Sequence, residues 1–185
     1  MPSPVGHSLM GYVIYGATEG ISERNWTTRA LYLFAANAPD LDFLPGLVVG
    51  DLPRYHHGPS HSVGFAILFG IVASLLMSRR LYSFIVASSL YFSHVVLDYL
   101  VQDPSPPYGV PLLWPLSYEY HMAPFAFFPR FDYLAGSTDS MVATIFSLHN
   151  LSTIVTEIVL LSSLLLLLGV WTRIQEHRNT SFKYD

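Results

Sequence analysis

The chain has 185 residues and a formal net charge of −4, and only 12% of its residues are charged, against about 25% in a typical soluble domain. Hydrophobic residues make up 51%, which excludes an ordinary soluble domain and favours a protein with much of its surface in lipid. Because the chain has no cysteine and no basic patch, disulfides, thiolate metal sites and nucleic-acid binding are not expected.

Apolar segments predict the helices. In chain order they are Val5–Ala17, Ala30–Ala38, Ser62–Ser78, Leu81–Val101 and Leu151–Trp171. A helix crosses the hydrocarbon core with about 20 apolar residues (roughly 17 to 25), so the last three can span it and the first two cannot do so unaided. The predicted fold class is therefore all-α, an integral membrane helical bundle with three long transmembrane helices plus two shorter embedded helices. We expect a single domain over residues 1–185.

The basic residues predict an orientation. If all the apolar segments alternate in direction, seven of the nine basic residues fall on one side, namely Arg24, Arg29, Arg79, Arg80, Arg173, Arg178 and Lys183. The positive-inside rule places that side, with the C-terminus, in the cytoplasm. The segment Gln102–Ser140 then lies outside, where its many aromatic residues suit the membrane interface. We expect a multi-pass protein of the cell membrane.

The same alternation brings histidine and aspartate residues from four segments to the outer side at similar depth. The residues concerned are His7, Asp40, Asp42, His56, His57, His61, His94 and Asp98. No single one of them is informative, but their convergence predicts a metal site near the extracytoplasmic face.

Two parts of this set have a direct chemical interpretation. His94 and Asp98 are four residues apart, so they lie one turn apart on one helix face and can reach one ion, and imidazole with carboxylate suits zinc. Asp40 and Asp42 can bridge two ions. Plainer interpretations stay open, since His94 and Asp98 can satisfy each other as a structural pair within the membrane. Asp-x-Asp near a proline is also typical of a turn that ends a helix.

Four ordered motifs resemble those of a known family. NAPDLDFLPG looks like its P-D-x-D segment, HHGPSHSV is similar to its H-R/H-G-x-T/S-H-S motif, SHVVLDYL looks like its S-H-x-x-x-D helix, and GVPLLWPLS is similar to its G-V-x-L-L-W-P signature. In order and spacing the chain resembles the YdjM-like proteins, the LexA-regulated, membrane-bound metal-dependent hydrolases of bacteria and archaea. The resemblance runs from His7 to about Ser117 and implies an inner-membrane hydrolase that uses zinc or another divalent ion. A more distant likeness to zinc-dependent phospholipase C favours phosphoester substrates.

By position, the resemblance points to particular ligands. They are His7, Asp40, Asp42, His56, His61, His94 and Asp98. Relatives often have arginine where this chain has His57, which is either an extra ligand or a missing phosphate-binding charge. Arg54 or Arg130 could replace that charge.

Metal-assisted hydrolysis is the leading hypothesis, because a divalent ion lowers the pKa of water and polarises an ester. The number of candidate ligands favours two or more ions, most readily zinc, with manganese possible. Asp42 or Asp98 could be the general base. A membrane lipid or lipid-linked substrate is expected, with Arg54, Tyr118, His121 and Arg130 as candidate substrate contacts.

Two rival hypotheses belong to other classes. In the first, the chain is an ion transporter that uses His94 and Asp98 as a relay within the membrane. In the second, it is a structural membrane protein whose polar cluster only ties helices together. The sequence leaves the choice, the substrate and any oligomeric partner open.

Overall fold

The computed structural model describes residues 1–18, 25–102, 107–133 and 138–181, and the structural statements below refer to these ranges. Within them the chain is all-helical and has no strand. The α-helices are α1 (Pro4–Ala17), α2 (Trp26–Asn37), α3 (Phe43–Val49), α4 (Val63–Leu76), α5 (Arg80–Tyr99), α6 (Thr138–Ile145) and α7 (Leu148–Ser181). Two short 3-10 helices, Ala38–Asp42 and Leu52–Tyr55, connect α2, α3 and the loop before α4.

Polar caps determine where the first helices begin. The side chains of Ser3, Asn25 and Ser62 each accept a hydrogen bond from a backbone N–H in the first turn of α1, α2 and α4. Such capping satisfies an otherwise unpaired donor. Because Asn25 caps α2, this helix begins at Trp26, four residues before the predicted start at Ala30.

The described part of the chain has two long candidate membrane spans instead of the predicted three. They are Arg80–Tyr99 and Leu148–Gln175. The expected span Ser62–Ser78 is a shorter apolar helix of 14 residues, because Ser62 serves as its N-cap and Met77 is already extended. At about 1.5 Å per residue, such a helix is only about 21 Å long, less than the roughly 30 Å hydrocarbon core. The prediction of a third long span is therefore wrong.

Small residues allow close packing of the helices. A side chain at Gly70 of α4 would overlap Ser88 and Phe84 of α5, and a Cβ at Gly11 of α1 would lie 2.8 Å from the Cβ of Ala36. Small residues at such crossings are typical of membrane helices, where close backbone approach supplies van der Waals attraction. α4 and α5 therefore form a tight hairpin, with α1 and α2 packed beside it.

The segment 107–133 folds over the ends of α4 and α5. Val63 N–H at the start of α4 donates to Leu112 O at 3.0 Å, and Ala123 N–H donates to Tyr99 O at 2.8 Å. Phe131 N–H donates to Met1 O at 3.0 Å. These contacts bring the segment to the end of the bundle where α5 ends and α1 and α4 begin.

Helix α7 is 34 residues long and packs on α1. Its Glu157 is buried and accepts hydrogen bonds from the backbone N–H of Ser3, at 2.7 Å, and from the Ser3 hydroxyl. Glu157 thus fixes the start of α1 against α7.

Of the basic residues used for orientation, Arg24 and Lys183 lie outside the described residues.

Candidate metal centre

The structure brings all eight predicted ligands to one end of the bundle. α1 carries His7, α5 carries His94 and Asp98, and the 3-10 helix after α2 carries both Asp40 and Asp42. The remaining three histidines come from the loop before α4, where His57 has a positive φ of 59° that turns the chain. Each of the eight belongs to at least one group of side chains that could hold a metal ion.

Four of these side chains contact one another in a ring of two histidines and two aspartates. Nε2 of His61 lies 3.6 Å from Oδ1 of Asp40 and 3.2 Å from Oδ2 of Asp98. Nε2 of His94 lies 3.3 Å from each of the same two oxygens. The two nitrogens and two oxygens therefore form a closed ring of near-equal distances, which we call the primary centre.

These distances match the ligand shell of a zinc-sized ion. Ligand atoms about 2.1 Å from a tetrahedral metal lie about 3.4 Å from one another. The separations in the primary centre, 3.2 to 3.6 Å, fall around that value. Three of the four are longer than the usual 2.7–3.2 Å of an N–H···O hydrogen bond, which favours a shared ion over direct pairing.

Two further histidines contact Asp98 of the primary centre. Oδ1 of Asp98 lies 3.5 Å from Nε2 of His7, and Oδ2 lies 3.9 Å from Nε2 of His57. The His7 ring is stacked on His94, with centroids 3.6 Å apart. Asp98 is thus placed between the two groups, where one carboxylate can serve two ions.

Hydrogen bonds on the far side orient the imidazoles of the primary centre. Nδ1 of His94 lies 2.9 Å from the Ala36 carbonyl oxygen, and Nδ1 of His61 lies 3.1 Å from Oδ2 of Asp42. A carbonyl or carboxylate acceptor keeps the proton on Nδ1 and leaves Nε2 as a ligand, the usual arrangement at metal-binding histidines. Both imidazoles are therefore oriented for coordination through Nε2.

Asp42 connects two histidines. Its Oδ1 lies 3.0 Å from Nδ1 of His56, while Oδ2 accepts from the Ser60 hydroxyl at 2.7 Å and contacts His61. Burial raises the pKa of Asp42, but hydrogen bonds from His56 and His61 outweigh it and lower the pKa to about 2. Asp42 is therefore an ionised carboxylate whose oxygens are both occupied, which favours an orienting role over the predicted role of general base.

Two further residues, Tyr91 and Ser60, hold the loop before α4 in place, and sequence analysis did not single them out. The Tyr91 hydroxyl of α5 donates to Ser60 O at 2.9 Å, and the Ser60 hydroxyl lies 3.1 Å from Nδ1 of His61. Ser60 stands inside the HHGPSHSV motif, so its position was a usable signal. The contact of the Ala36 carbonyl with His94 could not be predicted from sequence, because every residue has a backbone carbonyl.

His56 lies at the edge of the cluster among apolar groups. Its ring stacks on Phe43 with centroids 3.9 Å apart and meets the Tyr133 ring edge-on at 5.6 Å. Its Nε2 lies 3.0 Å from the sulfur of Met1. His56 thus directs its Nε2 toward Met1, while its Nδ1 contacts Asp42.

Charge is unevenly distributed in the cluster. Burial raises the pKa of Asp40, but His94 and His61 outweigh it and hold that pKa well below its usual value. Burial lowers the pKa of His61, yet contacts with Asp40 and Asp42 raise it well above the usual value. For His57 burial dominates and keeps the pKa well below normal, so its imidazole is neutral. Metal binding at the primary centre must therefore displace a proton from His61.

The donor atoms fit a cation better than they fit one another. Among the described residues, these buried atoms have no hydrogen-bond partner: Oδ1 of Asp40, Nε2 of His7, His61 and His94, and both oxygens of Asp98. A buried polar atom left unsatisfied costs about 1–3 kcal/mol. Nitrogen and oxygen donors without sulfur suit zinc and related divalent ions, which would satisfy all of these atoms at once.

The two arginines predicted to contact substrate, Arg54 and Arg130, each contact a residue close to them in the chain. Arg54 is exposed, stands two residues before His56, and its guanidinium lies 5.6 Å from the Tyr55 ring centroid. Arg130 forms an ion pair with Asp132, with Nε 3.0 Å from Oδ1. In the structure both arginines therefore contact neighbouring residues, and their predicted contact with substrate stays a prediction.

The other two predicted substrate contacts, Tyr118 and His121, belong to the segment that covers the bundle end. Tyr118 is mostly exposed, while the backbone of His121 pairs with Val110 through two hydrogen bonds of 2.8 and 2.9 Å. In the part of the chain that the structure describes, His121 belongs to none of the candidate ligand groups.

Fold and site together define an all-helical protein with two helices able to span a membrane and a buried histidine–aspartate cluster that could hold metal. The sequence model of the family described as YdjM inner membrane protein matches residues 1–175. The chain belongs to this family, which confirms the resemblance seen in the motifs and extends it beyond Ser117 into α7. Comparisons with curated proteins and with solved structures gave no match.

Proposed function

We propose that this chain is a metal-dependent hydrolase of the inner membrane whose site holds two divalent cations, zinc by preference and manganese as a substitute. One observation carries the proposal. Nε2 of His61 and of His94 each lie 3.2 to 3.6 Å from a buried carboxylate oxygen of Asp40 and from one of Asp98. An assembly that only tied helices together would pair these atoms at hydrogen-bond distance.

Each side chain has a distinct role in this proposal. The primary centre would hold one cation, and His7 and His57, which lie 3.5 and 3.9 Å from different oxygens of Asp98, are the candidate histidine ligands for a second. Asp42 orients His56 and His61. Bound divalent cations would supply Lewis-acid polarisation of the ester and a more acidic water.

The charge of the site favours an anionic substrate. Three carboxylates, from Asp40, Asp42 and Asp98, do not fully balance two divalent cations when the histidines are neutral. The remaining positive charge suits a phosphoester, in which negative charge builds up on the phosphoryl oxygens during hydrolysis. Arg54 and Arg130, in the segments flanking His56 and α7, are the proposed contacts to that charge.

Exposed apolar residues next to the site favour a lipid-linked substrate. Helix α3, which directly follows Asp42, exposes Leu44, Leu47 and Val48, the last with 86% of its surface. The segment over the bundle end exposes Leu116 at 93% and Tyr118 at 76%. A soluble protein rarely presents such surfaces, whereas a membrane interface accommodates them. The proposed substrate therefore enters from the membrane.

We further propose that the metal centre faces the extracytoplasmic side and that the C-terminus is cytoplasmic. The cluster lies where α5 ends, and Arg79 and Arg80 lie where α5 begins, at the opposite end of a 20-residue helix. Because basic residues favour the cytoplasmic side, the cluster is placed outside. Cysteine labelling with a membrane-impermeant reagent, on variants Tyr118→Cys and Arg173→Cys in intact cells, tests this. Labelling of Arg173→Cys alone would overturn the orientation.

The test of function uses the full chain purified in detergent. Elemental analysis is expected to give two zinc ions per chain, and a strong chelator is expected to abolish hydrolysis of a phosphodiester lipid, with recovery on adding zinc or manganese. His94→Ala should lose both metal and activity, whereas Asp51→Asn, a change at an exposed carboxylate, should retain them. Metal-free protein with full thermal stability would instead support a purely structural cluster. Ion flux in proteoliposomes without hydrolysis would support a transporter.

A further inference from the structure

An apolar groove lies between α2, α4 and α5, away from the metal centre. Its volume is about 420 Å³, within the range of about 300–1,000 Å³ found for small-molecule sites. Its walls are mainly aliphatic and aromatic, including Leu31, Ala35, Phe69, Val72, Ala73 and Leu90. Nothing in the metal chemistry proposed above uses this groove.

The groove runs along the helices from one end of the bundle toward its middle. On α5 its lining extends from Tyr82 to Leu90, and on α2 from Thr28 to Ala35. At about 1.5 Å per residue this corresponds to about 12 Å, close to the depth of one leaflet in a hydrocarbon core of about 30 Å. A groove of this length and direction fits an extended hydrocarbon chain of the adjoining leaflet.

Two arginines lie in the turn at one end of the groove, which we call its mouth. Met77 and Tyr82 line it at this end, and the exposed residues Arg79 and Arg80 lie between them in the chain. The Tyr82 hydroxyl lies 3.1 Å from that of Tyr32, and both tyrosines line the groove. The N-terminus of α5 begins at Arg80 and adds the positive end of a helix dipole.

We propose that this groove binds one acyl chain of an anionic phospholipid whose phosphate is held by Arg79 and Arg80. Guanidinium groups bind phosphate through charge-assisted hydrogen bonds, and basic sites between membrane helices select anionic head groups. A zwitterionic lipid offers the same chain without the net negative charge, so it should bind more weakly. The charge at the mouth therefore favours an anionic lipid over a second copy of the chain, which would bring the same arginines together.

The arginine pair is tested by native mass spectrometry of the full chain in detergent, titrated with long-chain phosphatidylglycerol or phosphatidylcholine. Phosphatidylglycerol is expected to bind with a defined stoichiometry of one and more tightly than phosphatidylcholine. Each arginine near a membrane surface contributes about fivefold to such binding, so Arg79→Gln with Arg80→Gln should weaken phosphatidylglycerol by about thirtyfold. Arg173→Gln, which removes one charge on α7 outside the groove, should have little effect. Equal binding of phosphatidylglycerol and phosphatidylcholine would overturn the proposal. So would an equal loss of phosphatidylglycerol affinity per charge removed in the double variant and in Arg173→Gln.

The groove itself is tested by filling it. Ala73→Phe places a ring among the lining residues and should remove the bound phosphatidylglycerol while thermal stability and metal content are kept. Ile71→Phe, at an exposed position two residues away on α4, is the matched control and should retain the lipid. Unchanged lipid binding in Ala73→Phe would refute the groove as the site. A shift in oligomeric state without loss of lipid would show instead that this face binds another copy of the chain. Because metal content is measured in the same samples, failure here is distinguishable from failure of the proposed hydrolase.

Discussion

Replacement of Asp42 by asparagine tests the distinction between a ligand and an orienting residue. The carboxylate contacts Nδ1 of His56 at 3.0 Å and Nδ1 of His61 at 3.1 Å, and it accepts from Ser60. The asparagine side chain has one acceptor oxygen, so it cannot accept from both histidines. Its NH2 group would face an imidazole N–H or the Ser60 hydroxyl, which are donors. Loss of such an outer hydrogen bond typically weakens metal binding by about 10- to 100-fold, which is about 1.4 to 2.7 kcal/mol.

The assay is a competition titration of zinc against a chromophoric chelator, with stoichiometry from elemental analysis. Asp42→Asn should bind the same number of ions as the unmodified chain when zinc is saturating, with the affinity reduced by the factor above. His94→Ala should lose an ion outright, and Asp51→Asn should behave as the unmodified chain. If Asp42→Asn loses an ion as completely as His94→Ala, Asp42 is a direct ligand and the orienting role is refuted. An unchanged affinity would show that its two contacts have no effect on the site.

Three other predictions follow from the same contacts. Zinc at about 1,000 times its dissociation constant should raise the free energy of unfolding by about 4 kcal/mol, seen as a higher midpoint of thermal unfolding that a chelator reverses. No shift would mean that zinc does not bind the folded chain in preference to the unfolded one. Although burial lowers the pKa of His61, its contacts with Asp40 and Asp42 raise it, so zinc must displace a proton. Zinc affinity should therefore increase by up to about tenfold per pH unit between pH 6 and 8, and a pH-independent affinity would contradict this protonation state. Glu157→Gln, which loses a charged acceptor for Ser3, should destabilise the protein by about 1–3 kcal/mol in thermal unfolding; a change no larger than that of an exposed substitution would show that this contact does not fix α1.

The membrane helices could largely be predicted because apolar runs and helical spacing are local properties. The range expected for α5, Leu81–Val101, agrees closely with Arg80–Tyr99, and α1 begins within one residue of its expected start. The length of α4 could not be predicted, because Ser62, which begins the apolar run, is its N-cap, and the helix ends at Leu76 before the run does. Helix α3 and the two 3-10 helices were missed because segments this short have too few residues to show a period.

The composition of the ligand set was also accessible from sequence. Spacing alone places His94 and Asp98 on one face, and alternation of the segments places His7, Asp40 and His61 at the same end. Chemistry then limits such a set to a few divalent ions. For these reasons the sequence by itself determined a membrane protein of helices with imidazoles and carboxylates gathered at one boundary.

Only the tertiary structure decided what each polar atom faces. Ala36 offers a backbone carbonyl to His94, and Asp42 occupies the Nδ1 atoms of two histidines, so the Nε2 atoms of His61 and His94 are left to meet Asp40 and Asp98. Such partners are set by how loops cross and by where backbone carbonyls point. Neither feature repeats along the sequence, so no sequence pattern predicts it. Hydrogen bonds also depend on tenths of an ångström and on angles that are fixed only when all the helices are packed.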